Sequence, residues 1–228
     1  MSQSAAVHHR YERKYLSGDY SAKQLENFLL LNEQSFQKIY YKRQVNSIYF
    51  DTPDFEYFQQ NIDGEANRQK VRVRWYGLAD YSEQVQLEVK IRSGEMIRKE
   101  IYPLVNPKKK LSDWLEELTL LVQAKLSEKM EEARALQPVL NNVYQRAYYY
   151  SPATKVRITI DERIGARQIN DYLKLRPWHF FDFSVLECKY KMQDDEALRK
   201  IVRTMPIQIA KSSKYVMGVE KIYPQLCS

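Results

Sequence analysis

The segment RQKVRVRWYG, residues 68–77, sets a cation at every second position, Arg68, Lys70, Arg72 and Arg74, with Val71, Val73 and Trp75 in alternation. Successive side chains of a β-strand point to opposite faces, so this spacing makes one apolar face and one cationic face. The same alternation recurs along the chain. Arg10, Glu12 and Lys14 share a face in HRYERKYL, and Gln86, Glu88, Lys90 and Arg92 oppose Val85, Leu87, Val89 and Ile91 in VQLEVKIR. Lys155, Arg157, Thr159 and Asp161 oppose Val156, Ile158 and Ile160, and Glu187, Lys189 and Lys191 oppose Leu186, Cys188 and Tyr190. Ser47 to Phe50 reads as a further strand, stopped by the turn chemistry of Asp51-Thr52-Pro53-Asp54. Short strands of this kind predict an antiparallel sheet or barrel.

Between them the period changes. SAKQLENFLLL, residues 21–31, predicts a helix capped by Ser21, and LSDWLEELTLLVQAKLSEKMEEARALQ predicts a long one capped at Ser112 or Asp113 and ended before Pro138. DDEALRKIVRTM, residues 194–205, predicts a third, capped by Asp194. Their Leu, Met and Val stripes are packing faces that the apolar sides of the strands can cover, which places Val71, Val73, Leu87, Val89, Ile158 and Leu186 under helices. No linker or repeat divides the 228 residues, so a single domain over 1–228 is expected.

A net charge of +7 points to an anionic partner, whether nucleotide, polyphosphate, nucleic acid or membrane surface. No apolar run is long enough to span a membrane and the N-terminus lacks a signal-peptide core, so the expectation is a cytoplasmic chain with no membrane insertion. Cys188 and Cys227 sit in unlike contexts and suggest neither a disulfide nor a metal motif, and His8, His9 and His179 have no ligand spacing.

The polar faces either meet water on an open sheet or meet one another across the lumen of a barrel. Two cations about 7 Å apart on a strand repel by about 2 kcal/mol at an effective dielectric near 20, so a lumen lined with them needs water, counter-ions or a bound polyanion. The interspersed glutamates choose among polyanions. A face built for a phosphodiester backbone gains nothing from Glu12, Glu88 and Glu187, whereas a triphosphate site uses carboxylates to hold its divalent metal. Nucleic acid is therefore not the expected partner, and Tyr148, Tyr149 and Tyr150 read as strand packing rather than base-stacking groups.

RYERKY, SIYFDTPDFEYF, KVRVRWYG, LEVKIR, GEMIRKEIYP, YQRAYYY, KVRITID, VLECKY and AKSSKYVMGVEK occur in this order from about residue 10 to 221. In that order the chain resembles the polyphosphate polymerase domain of the vacuolar transporter chaperone (VTC) family, within the CYTH-like triphosphate tunnel metalloenzyme superfamily. The resemblance implies an α+β fold: a closed antiparallel eight-stranded β-barrel tunnel with helices packed outside. It implies a metal-dependent transfer of the ATP γ-phosphate to a growing inorganic polyphosphate chain, with Mn²⁺ or Mg²⁺ as cofactor and ATP, polyphosphate and triphosphate as partners. Carried over by position, Lys14, Arg72, Arg74, Arg146, Arg157 and Lys189 are the implied catalytic cations. Lys90, Lys99, Lys211 and Lys214 extend the phosphate-binding lining, with Arg68 and Lys70 on the same face, and Tyr144 flanks the path. Glu187 matches the metal-holding glutamate, with Glu12 and Glu88 in supporting positions. The superfamily opens with an ExExK pattern, and here the first position is Arg10, a cation on the substrate path where hydrolytic relatives place a metal-binding carboxylate. That departure favours the polymerase over a tunnel triphosphatase, and the presence of Glu187 and the lining arginines disfavours the other alternative, a non-catalytic polyphosphate-binding module. Any coupling to transport requires a membrane partner that the sequence does not identify.

Overall fold

A computed structural model describes residues 10–82, 84–106, 108–170, 172–205, 207–210 and 213–227. His8, His9, Lys211 and the Arg10 side chain lie outside the described residues. In chain order the elements are β1 (Arg10–Leu16), α1 (Ala22–Leu30), β2 (Gln37–Asp51), α2 (Glu56–Ile62), β3 (Asn67–Tyr76), β4 (Gln84–Ser93) and β5 (Met96–Val105). There follow α3 (Leu111–Leu126), β6 (Gln137–Tyr150), β7 (Arg157–Gln168), β8 (His179–Phe180), β9 (Val185–Lys191), α4 (Asp195–Arg203), β10 (Gln208–Ile209) and α5 (Lys214–Ile222). The fold is α+β, with antiparallel pairing in each strand pair described below.

The chain forms two compact units, one drawn from Met1–Arg43, Gln145–Arg163 and Phe181–Ser212, the other from Gln44–Tyr144, Ile164–Phe180 and Ser213–Ser228. In the first, β9 lies between β1 and β7, and β10 adds to the far edge of β1. Its core sets Tyr15, Ile158, Leu186 and Cys188 from the strands against Leu25 and Leu29 of α1 and Leu198 and Ile201 of α4. The α1 start is the predicted one: Ser21 Oγ accepts from the Gln24 amide and Gln24 Oε1 accepts from the Ser21 amide, a reciprocal cap. Asp194 precedes α4 as expected, without a capping bond from its side chain.

In the second unit β2, β3, β4 and β5 run side by side. Val71, Val73, Leu87 and Val89 are buried against Trp114, Leu115, Leu118 and Val122 of α3. All six apolar strand residues expected under helices are thus in the two cores. The long predicted helix is shorter than its apolar pattern: α3 starts after Lys110 rather than at Ser112 or Asp113, and ends at Leu126. Ala133 and Leu136 keep the helical spacing and enter the same core, Ala133 from a 3-10 turn at Glu131–Ala135 and Leu136 from the extended residue that follows it.

The closed eight-stranded barrel is corrected by the pairing. The strand order is β10-β1-β9-β7-β6-β2-β3-β4-β5 with β8 on β7, a path with two ends. Eight of its strands have seven residues or more, while β8 and β10 have two each. An end strand of two residues, such as β10, offers too few backbone groups to close a ladder on a ten-residue strand such as β5. Among the described residues no helix is long and apolar enough to cross a membrane.

Two glycines mark close approaches. A Cβ on Gly218 of α5 would stand 2.5 Å from Leu140 Cδ2, and Leu140 is fully buried. A Cβ on Gly165 would meet the Phe180 ring at 2.9 Å and Val143 Cγ1 at 3.1 Å, but Phe180 is 57% exposed and Val143 is only partly buried, so both have more room to shift than Leu140. Gly218→Ala is expected to destabilise the protein by about 1–3 kcal/mol and Gly165→Ala by less, as overpacking costs depend on whether the neighbour can move. Urea denaturation of the two variants measures the difference.

Candidate functional site

In the second unit the strand alternation brings the predicted cations onto one face. Arg72 stands directly across from Glu88, and Lys70, Lys90 and Lys99 stand side by side on β3, β4 and β5. Arg68 pairs in the same way with Arg92. Glu88 is 4% exposed and is clasped by cations: Arg72 Nε donates to it at 2.7 Å, Lys99 Nζ at 2.8 Å, and Arg74 Nη1 lies 3.8 Å away. Burial alone would raise its carboxyl, but Arg72, Arg74 and Lys99 outweigh that and pull it down to about 2.

Two tyrosines complete this face. Arg72 Nη1 donates to the Tyr49 hydroxyl and Arg74 Nη2 to the Tyr144 hydroxyl, each at 3.3 Å. Lys214, the first residue of α5, sets its Nζ 4.7 Å from the Tyr144 ring centre, and Lys70 Nζ donates to Ser213 Oγ at 2.9 Å. The structure therefore gathers Arg72, Arg74, Glu88, Lys99, Tyr144 and Lys214, with Lys70 joined to the residue before Lys214.

The first unit carries a face of the same chemistry. Glu187 of β9 lies across from Lys14 on β1 and Thr159 on β7, while Lys189 lies across from Glu12 and Arg157. Glu187 is 8% exposed; Lys189 Nζ is 2.7 Å from one oxygen and Arg146 Nη2 is 3.6 Å from the other. Burial pushes this carboxyl up, yet Arg146, Lys189 and Lys14 hold it well below the usual carboxylate range. Arg157 is the outlying member, exposed, with its guanidinium 5.9 Å from the Tyr150 ring centre.

Sequence reasoning assigned no role to two residues that these faces depend on. Asp161, fully buried, grips Arg146 in a bidentate pair at 2.6 and 2.7 Å and so aims the guanidinium. Its signal was present, since Asp161 continues the polar face of Arg157 and Thr159. Tyr49 had only the alternation of Ser47, Tyr49 and Asp51 along β2, which does not distinguish a buried phenol from core.

A model of the VTC domain matches residues 9–223. The chain belongs to the VTC domain family. Among solved structures, a candidate adenylate cyclase from Bacillus halodurans is 15% identical, with a TM-score of 0.54 over 93% of this chain and 96% of that one. A candidate adenylyl cyclase from Hippeastrum, described as having a dominant triphosphatase activity, is 13% identical, with a TM-score of 0.53 over 92% of this chain and 95% of that one. At these identities the likeness is one of fold. No curated protein matches.

A divalent ion of the kind that the family implies can be tested against the donors present. Among the described residues there is no cluster of three or more His, Cys, Asp or Glu side chains placed to hold a metal. Glu187 and Glu12 do approach one point, since Lys189 Nζ lies 2.7 Å from the first and 3.9 Å from the second. Two carboxylates suit Mg²⁺ or Mn²⁺ when phosphate oxygens and water supply the other ligands, and they do not make an all-protein cage. Glu88 has its two oxygens committed to Arg72 and Lys99.

The Glu88 cluster has a pH signature. A carboxyl whose folded value is lowered contributes stability above its unfolded value, near 4.5, and loses it as pH falls through about 2. That shift is worth on the order of 3 kcal/mol. The stability advantage of the natural chain over Glu88→Gln should therefore be full at pH 6 and shrink steadily between about pH 4.5 and 2, measured by denaturant titration at each pH.

Proposed function

We propose that this VTC domain is a polyphosphate polymerase, moving the γ-phosphoryl group of ATP to the end of an inorganic polyphosphate chain. The observation that carries the reading is the row Lys70, Lys90 and Lys99, directly opposite one another on three adjacent strands beside the Arg68 and Arg92 pair. Like charges in cross-strand register repel, and an extended polyanion is the ligand that relieves the repulsion along the whole row. The family match spans both compact units and supports treating them as one functional domain.

Phosphoryl transfer needs little covalent help, so the work of the protein is to orient donor and acceptor and to stabilise charge on the transferred group. Arg72, Arg74, Arg146 and Arg157 grip phosphate oxygens with a planar fork, which Glu88 and Asp161 hold in place for Arg72 and Arg146. Lys90, Lys99 and Lys214 in one unit, and Lys14 and Lys189 in the other, act as mobile point charges for phosphate oxygens. The terminal oxygen of the chain attacks the γ-phosphorus, the bond to the β,γ-bridging oxygen breaks, and ADP leaves. Glu187, aided by Glu12, would hold Mn²⁺ or Mg²⁺, whose charge neutralises the phosphate oxygens when bound. ATP as substrate and free thiols at Cys188 and Cys227 suit a cytoplasmic location.

Incubation with ATP and Mn²⁺ is expected to release ADP in step with a polyphosphate ladder on gels. ADP in step with free orthophosphate, with no ladder even when a short polyphosphate primer is supplied, would replace this reading by a tunnel triphosphatase. Glu187→Gln should lower kcat by on the order of a hundredfold with the fold intact by circular dichroism. Tight polyphosphate binding without turnover of ATP in the natural chain would identify a binding module instead.

A further inference from the structure

The cationic face of the second unit has a support behind it that the reaction itself does not use. Asp51, the last residue of β2, is fully buried with both oxygens engaged. One accepts the amides of Thr52 at 2.8 Å and Tyr57 at 2.9 Å; the other accepts the Phe58 amide at 3.0 Å and the Tyr215 hydroxyl. The backbone bonds have a structural reason. Phe55, at the start of α2, is left-handed with φ 57° and offers no side-chain cap, so Asp51 satisfies first-turn amides of α2 in its place.

The bond to Tyr215 is of another kind, because it ties Asp51 to α5. Tyr215 is 1% exposed and follows Lys214 directly. Its ring stacks on Tyr49, with centroids 4.9 Å apart and planes at 25°, and meets the edge of Phe58. Tyr49 in turn accepts from Arg72, and Lys214 lies over the ring of Tyr144, which accepts from Arg74. The Asp51–Tyr215 pair is thus the fixed point from which two cation contacts extend, one through Tyr49 to Arg72 and one through the start of α5 to Lys214.

We infer that Asp51 is a positioning residue for phosphate binding, acting through Tyr215 to fix Lys214 at the phosphate-binding face. The inference rests on the phosphate-site reading above and adds the element that sets the geometry of that site. Lys214 carries four rotatable bonds, so it binds a phosphate well only where the helix that bears it is fixed.

The test is a double-mutant cycle with inorganic triphosphate as the probe, its Kd measured by calorimetry on the natural chain, Tyr215→Phe, Lys214→Ala and the double variant. Asp51→Asn also strips the α2 cap and risks misfolding, whereas Tyr215→Phe removes one hydroxyl and keeps the ring. Tyr215→Phe is expected to weaken triphosphate binding by about three- to tenfold, the usual effect of one lost hydrogen bond. On the Lys214→Ala background the same change should have a much smaller effect. A purely structural bond would lower Tm while leaving the Kd of the folded protein unchanged, and that result overturns the inference. Equal weakening on both backgrounds does so too, because the hydroxyl would then act independently of Lys214. If Lys214→Ala alone leaves the Kd unchanged, the phosphate-site reading fails at that residue and the inference falls with it.

Discussion

Cations held in register on neighbouring strands repel one another, and both units are arranged around that repulsion. Two such charges about 5 Å apart repel by about 3 kcal/mol at an effective dielectric near 20, which a sheet cannot carry several times over without compensation. Each unit places buried carboxylates among its cations: Glu88 with Arg72, Arg74 and Lys99 in one, and Glu187 and Asp161 with Arg146 and Lys189 in the other. These carboxylates offset the repulsion and make the clustered cations tolerable for the fold.

The same carboxylates set directions. A guanidinium fixed by Glu88 or by Asp161 presents its remaining N–H groups in one plane, so these arginines are held in one orientation. Lysine ammonium groups are not aimed in this way, and they occupy the row formed by Lys70, Lys90 and Lys99.

The reverse side of each sheet explains why the polar faces survive. Val71, Val73, Leu87 and Val89 are covered by α3, and Ile158 and Leu186 share a core with α1 and α4. A slip of one residue in any of these strands would turn its apolar side chains to water and its cations into the core. The hydrophobic cores therefore hold the charge register, and the buried Asp51 adds a polar anchor where β2, α2 and α5 meet.

Alternation with period two was enough to find β1, β3, β4, β7, β9 and part of β2 and to sort their residues onto two faces, because strand geometry couples neighbouring residues through sequence alone; β5 and β6, which carry Lys99 and Arg146, showed no such pattern and entered only through the family resemblance. Capping chemistry found α1 at Ser21 in the same way. What tertiary structure decided was pairing and ends. The partner of Arg146 is Asp161, 15 residues on, and the partner of Tyr215 is Asp51, 164 residues back, and no local pattern encodes such meetings. Helix α3 stops at Leu126 although its apolar spacing continues, and Ala133 reaches the core from a 3-10 turn and Leu136 from the extended residue that follows it. The expected barrel gave way to a strand path with two ends for a similar reason, since periodicity fixes which way a side chain faces and says nothing about which strand lies beside it. Local sequence determined the faces; contacts between distant residues determined which charges meet.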